Sequence, residues 1–158
     1  PHLTRALRSR DSRVRTEAVV GLGQIADPGS LSDLRRMLSD PADLVKVEAM
    51  RAISRLGPTG QTALPDFLPN LRSPNPEVAF VAAESLGSFG PSVIGPLEAY
   101  LTSPSAEVRE KAVLVLGWIE APDPRIDALL ARALSDKEKL VQSAAKQALQ
   151  NRKGDKVP

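Results

Sequence analysis

Five valines, Val14, Val45, Val78, Val108 and Val141, are spaced 31, 33, 30 and 33 residues apart, and each is followed four residues later by alanine: Ala18, Ala49, Ala82, Ala112 and Ala145. A period in this range decides an architecture by itself, because a unit of that length buries its apolar face only against a neighbouring copy. Eight residues after the valines stand Leu22, Ile53, Leu86, Leu116 and Leu149, and eleven after them Ile25, Leu56, Phe89, Ile119 and Arg152. Offsets 0, 4, 8 and 11 share one face of a helix, so the valines mark five amphipathic helices with a charged break in the last. A small residue at offset four lets two helices approach to about 8–10 Å, so these alanines are expected to be buried.

A second helix precedes each of these. Leu7, Leu38, Leu71, Leu101 and Leu134 lie seven residues before the valines, with Leu3, Leu34, Phe67, Leu97 and Leu130 four residues earlier still. The links between the paired helices, such as Ser39-Asp40-Pro41 and Ser73-Pro74-Asn75-Pro76, supply short polar caps and prolines. Asn75-Pro76-Glu77 reads as N-cap, N1 and an acidic N2. Between units, Asp27-Pro28-Gly29, Gly57-Pro58-Thr59-Gly60, Gly90-Pro91 and Ala121-Pro122-Asp123-Pro124 cannot continue a helix. Aromatic residues make up only 3% of the chain against 42% hydrophobic, a balance that favours helix packing over sheet.

The expected fold is therefore all-α, one domain over 1–158 with repeats near 1–29, 30–60, 61–92, 93–124 and 125–153 and a frayed tail at 154–158. The opening helix is clipped to Leu3–Ser9 and Val19 and Val20 make a poor surface for a true end, which leads to the expectation that the chain is a fragment with repeats or a domain before it. Repeat five, with Lys146, Gln147, Gln150, Asn151, Arg152 and Lys153, reads as a capping repeat.

The units "PNPEVAFVAAESLGSFG" at 74–90 and "PSAEVREKAVLVLGWI" at 104–119 resemble HEAT repeats, in particular the short HEAT-like repeats of phycobilisome lyases. The resemblance covers the whole chain and implies a right-handed α-α superhelix of five helical hairpins. It departs at Ser54 and Gln150, which stand where other units have glycine. The functions it implies are broad: scaffolds and transport receptors that bind proteins, bilin lyase subunits that attach chromophores, and nucleic-acid-binding domains.

Much chemistry is set aside by residue type. Cys is absent and the one histidine is His2, ahead of the first helix, which argues against nucleophilic triads and histidine or thiolate metal sites. Gly21-Leu22-Gly23-Gln24-Ile25-Ala26 matches a dinucleotide fingerprint as a string, but it falls at the end of a helix where the other repeats carry Leu86-Gly87 and Leu116-Gly117, so it reads as helix packing. The acid pairs Asp40 with Asp43 and Glu107 with Glu110 sit at helix starts, where the macrodipole favours negative charge. No catalytic, cofactor-binding or metal-binding residue is expected. No apolar run approaches the ~18 residues of a membrane span, and nothing fixes a compartment.

Charge is unevenly spread: residues 1–56 carry ten Lys/Arg and seven acids, 57–124 three and eight, 125–158 eight and four. The cluster Arg5, Arg8, Arg10, Arg13 and Arg15 could meet phosphate or an acidic partner, yet the row at offset one reads Arg15, Lys46, Ala79, Arg109, Gln142 and lacks the regular basic stripe of a nucleic-acid binder. The leading expectation is a monomeric, non-catalytic module that takes a protein or peptide on a concave face lined by the second helices. Offsets two, six and nine point there, and the candidate contacts are Val20, Val47, Arg51, Phe80, Glu84, Leu114 and Trp118, an apolar track edged by charge. The competing reading places the same residues in the gaps between neighbouring helices.

Overall fold

The protein, described here over residues 2–152 of a computed structural model, is all-α. The helices are α1 (His2–Ala6), α2 (Ser12–Ile25), α3 (Leu31–Met37), α4 (Asp43–Ser54), α5 (Pro58–Gln61), α6 (Leu64–Phe67), α7 (Pro76–Ser88), α8 (Ile94–Leu101), α9 (Ala106–Trp118), α10 (Pro124–Ala133) and α11 (Lys139–Arg152). The fraying expected of Gly154–Pro158 lies outside the described residues. Two compact units are formed, the first ending at Ser85 and the second beginning at Leu86. In the first, α1 packs on α2, α3 on α4, and α2 on α4; in the second, α8 packs on α9, α10 on α11, and α9 on α11. Within each unit one second helix thus packs on another, α2 on α4 and α9 on α11, each backed by its own first helix.

The local chemistry of the boundaries is visible. Asp11 accepts the backbone N–H of Arg13 at the start of α2, Asn75 that of Glu77 at the start of α7, and Ser105 that of Val108 at the start of α9. Each satisfies one of the orphan donors of a helix N-terminus. Gly57 and Gly90 adopt positive φ of 59° and 73°, a backbone that glycine takes without strain, and the following Pro58 and Pro91 start the next turn.

All five offset-four alanines are buried, and so are Leu34, Phe67, Leu97 and Leu130 of the first helices. Two expectations need correction. The first helix of the third repeat is not continuous: α5, α6 and a 3-10 turn over Leu68–Arg72 replace it. Pro65 and Pro69 cause this, since each lacks an N–H and collides with the carbonyl four residues back. Phe67 and Leu71 nevertheless stay in the core. Val14 and Ile25, placed in the core by the period, are 43% and 63% exposed. The five residues of α1 span about 7 Å and cannot cover the roughly 21 Å of α2.

Candidate functional site

The offset-one row, weighed as a possible phosphate contact, is structural. Arg15 donates from Nε and Nη2 to the two carboxylate oxygens of Asp40, both at 2.7 Å, and from Nη1 to the carbonyls of Ser9 and Arg10. Arg109 repeats this with Asp136, both at 2.8 Å, and with the carbonyls of Ser103 and Pro104. The geometry follows from the period: a residue one step into a second helix faces the interhelical link of its own hairpin and that of the next. The planar guanidinium satisfies both at once. The pairing raises the arginines above their already high values and holds Asp136 below the usual carboxylate range. Asp40 is buried, which alone would raise it, but the combined bonds from Arg15 and the Ala42 N–H leave it lowered. Within the arginine cluster, Arg15 is thereby consumed, and Arg13 pairs with Asp11 at 3.1 Å.

The acid pairs are likewise engaged. Asp43 meets Lys46 and the amide of Asn75, Glu107 accepts from Ser105, and Glu110 pairs with Lys111. His2 lies near Asp27 and Asp33 around a cavity of about 370 Å³. Among the described residues no three metal-ligating side chains gather. No helix among them is long and apolar enough to cross a membrane.

The glycines at offset nine mark where second helices touch, which corrects their placement on the outward face. A Cβ added at Gly23 would lie 2.8 Å from the Cβ of Ala52, and one at Gly117 would lie 2.7 Å from that of Ala148. At Gly87 the Cβ of Trp118 would be 2.6 Å away. The glycine string at 21–26 is therefore part of a helix crossing.

The candidate residues divide by unit. In the first, Val20 is half-buried on α2, Arg51 is exposed on α4 with its guanidinium 2.6 Å from Glu48, and Glu84 is exposed on α7. Phe80 is 46% exposed on α7, a large apolar side chain turned to solvent. Val47 departs from expectation: it is 1% exposed, because α4 is buried at 45, 47, 49, 50, 52 and 53 as α2 and α3 pack on it. For Val47 the gap-filling reading holds, and it is removed from the contact face. In the second unit Leu114 and Trp118 lie half-buried on α9, beside the Glu110–Lys111 pair, with Trp118 anchored by its approach to Gly87. Sequence reasoning missed Glu77. It reads as a helix-start acid, but its side chain is exposed three residues before Phe80, and the spacing 77, 80, 84 was the available signal.

A groove of about 960 Å³ also lies in the second unit, where Pro122, Ala131, Leu134 and Leu149 form apolar walls and Glu120 and Asp127 a charged edge. Leu134, expected in the core, is exposed there.

Known proteins agree with this architecture. The HEAT repeats family matches residues 1–71 and 64–150. No curated protein sequence matches significantly. Among solved structures, a designed armadillo repeat protein in complex with a (KR)4 peptide is 22% identical, with a TM-score of 0.61 over 95% of this chain and 80% of that one. The CpcE–CpcF complex of phycocyanin lyase from Nostoc sp. is 24% identical, with a TM-score of 0.61 over 96% of this chain and 64% of the other. YibA of Escherichia coli is 18% identical, with a TM-score of 0.64 over 98% of this chain and 60% of its own. At such identities the likeness is one of fold. With two family matches that together run from residue 1 to residue 150, on top of five alanine-centred hairpins, the chain belongs to the HEAT-repeat family.

Proposed function

We propose that the protein is a non-catalytic interaction module that binds a protein or peptide segment on the outward faces of its second helices. The observation that carries this reading is Phe80, a phenylalanine 46% exposed on a helix whose other apolar residues are buried. Aromatic side chains in such settings are over-represented among the few contacts that dominate protein interfaces. In the first unit Arg51 and Glu84, and separately in the second Leu114 and Trp118, add charged and apolar groups on the second helices. The repeat family and the peptide held by a designed armadillo protein of the same fold support the assignment.

The test is photo-crosslinking from position 80, combined with the substitutions Phe80→Glu and Leu114→Ser. Phe80→Glu should abolish capture of a specific partner while changing stability by no more than about 0.5 kcal/mol, as surface substitutions do. Retained capture together with a loss of several kcal/mol would return Phe80 to the core and refute the reading.

A further inference from the structure

One stripe of α2 holds core positions that nothing covers. Val14 and Ile25 stand at offsets zero and eleven, and both offsets are buried elsewhere: Val45, Val78, Val108 and Val141 at the first, Leu56, Phe89 and Ile119 at the second. With Gly21 between them at offset seven, the two share one face of the helix. The other repeats show what that face meets. Ala52 and Ala148, at offset seven of α4 and α11, touch Gly23 and Gly117 of the second helix before them. Arg152, at offset eleven of α11, donates to the carbonyls of Ile119 and Ala121, about one repeat back. The stripe on α2 is therefore the continuation of a helix-on-helix interface. Only Leu3 of α1 reaches it, 3.2 Å from a Cβ added at Gly21, and α1 is too short to cover Val14 or Ile25 on either side. Ile25 lines a cavity of about 370 Å³ with Leu3 and Leu22.

The rim of this face is basic. Arg5, Arg8 and Arg10 are exposed, and their side chains meet no acid among the described residues. Elsewhere in the first unit Arg15, Arg35, Arg36, Lys46 and Arg51 are each paired, and Arg55 lies over Gly23 at the α2–α4 crossing. Of the acids along the edge, Asp11 is taken by Arg13, Glu17 lies one turn past Val14, and Asp27 stands beside Ile25. Positive charge thus gathers where α1 runs into α2, at the Val14 end of the stripe.

An apolar stripe along a helix, flanked by free guanidiniums, fits an amphipathic helix with acidic flanks. We propose that the α1–α2 edge docks an acidic amphipathic helix of a protein partner, with its apolar face on Val14, Leu3 and Ile25 and its carboxylates on Arg5, Arg8 and Arg10. A nucleic-acid backbone supplies the charge but nothing that covers Val14 and Ile25. A second copy of this chain is disfavoured by sign: its α1–α2 edge is equally basic, and its α10–α11 hairpin exposes Arg132, Lys137, Lys139 and Lys146, which meet no acid among the described residues. This edge is separate from the outward face around Phe80, so either reading can fail without the other.

The test titrates the full chain, isotope-labelled, with three helical peptides of about eighteen residues, long enough to hold a helix. All share a leucine stripe and differ only in flanking residues, which are glutamate, glutamine or lysine. The glutamate peptide should bind tightest, shift the amide signals of residues 5–25 and weaken steeply with added salt. Arg8→Gln with Arg10→Gln should weaken it by up to about tenfold and flatten the salt dependence. Ile25→Gln should weaken it about tenfold while the melting temperature holds, because the side chain it replaces is already exposed. Lys137→Gln with Lys139→Gln should change nothing. Equal shifts at residues 5–25 from the lysine peptide or from a double-stranded oligonucleotide would overturn the proposal, as would no shift there with about 1 mM glutamate peptide. Concentration-dependent association of the chain alone, abolished by Ile25→Gln in sedimentation, would assign the edge to a second copy and overturn it too.

Discussion

Replacing Gly117 by alanine sets two known effects against each other at a measured distance. Alanine is favoured over glycine in a helix interior by about 1 kcal/mol, so on α9 taken alone the change stabilises. The new Cβ, however, would lie 2.7 Å from the Cβ and 3.3 Å from the Cα of Ala148 on α11. Carbon atoms in contact sit about 3.5–4.0 Å apart, so α9 and α11 must separate by roughly 1 Å. Both neighbours are fixed to backbone and no flexible side chain can swing aside. Overpacking of this kind costs about 1–3 kcal/mol, which leaves a net loss of up to about 2 kcal/mol after the helix gain. Urea unfolding at constant slope reads the change, and the midpoint should fall. A Gly117→Ala midpoint raised by the full helix gain of about 1 kcal/mol would refute the close crossing of α9 and α11.

Three further outcomes follow from named contacts. Ala26 ends α2 with φ of 52°, a geometry that costs a side-chain-bearing residue about 1–2 kcal/mol, so Ala26→Gly should raise the urea midpoint. Asp136→Ala leaves Arg109, which is 6% exposed, with only the Ser103 and Pro104 carbonyls; the loss should be about 2 kcal/mol, short of the ~3–5 kcal/mol of a fully buried pair. Asp136 is held below its ordinary value by Arg109, and Asp40 is lowered too, so the folded state binds their protons less readily than the unfolded chain does. Their contribution is complete above the ordinary carboxylate value of about 3.9 and is lost as pH falls below it. Asp40→Asn with Asp136→Asn should flatten the acid limb of a stability-against-pH curve, and limbs that stay parallel down to pH ~2 would contradict the pairing.

The hairpin plan was legible because every unit repeats the same apolar offsets, and an error in one unit is outvoted by four others. Ala18, Ala49, Ala82, Ala112 and Ala145 all proved buried for that reason. What escaped was local or particular to one unit. Pro65 and Pro69 break the third first helix although Phe67 and Leu71 keep the period, since burial follows side-chain spacing while helix continuity follows the backbone donors that proline lacks. The roles of Arg15 and Arg109 were hidden because a charge at offset one looks like surface until its partner, 25 or 27 residues away in the next link, is in place.

The contact face was half legible, and the division has a physical cause. A second helix packed on its own first helix and on neighbouring second helices is apolar over most of its circumference, so an apolar residue there carries little information about which way it points. Val47 and Phe80 share offset two and an apolar character, yet one is 1% and the other 46% exposed. Charged residues do not suffer this ambiguity, because an unpaired carboxylate is kept out of the interior by its desolvation cost. Glu77 and Glu84 fix the outward direction of α7 independently of Phe80, and a phenylalanine between two solvated acids at helical spacing has to face water with them. Val47 is flanked at four residues on either side by Asp43 and Arg51, each of which has a counter-charge on α4 itself, Lys46 and Glu48, and it lies buried between them. In a repeat of this kind a flanking charge turns an apolar residue outward only where that charge is not already neutralised on its own helix.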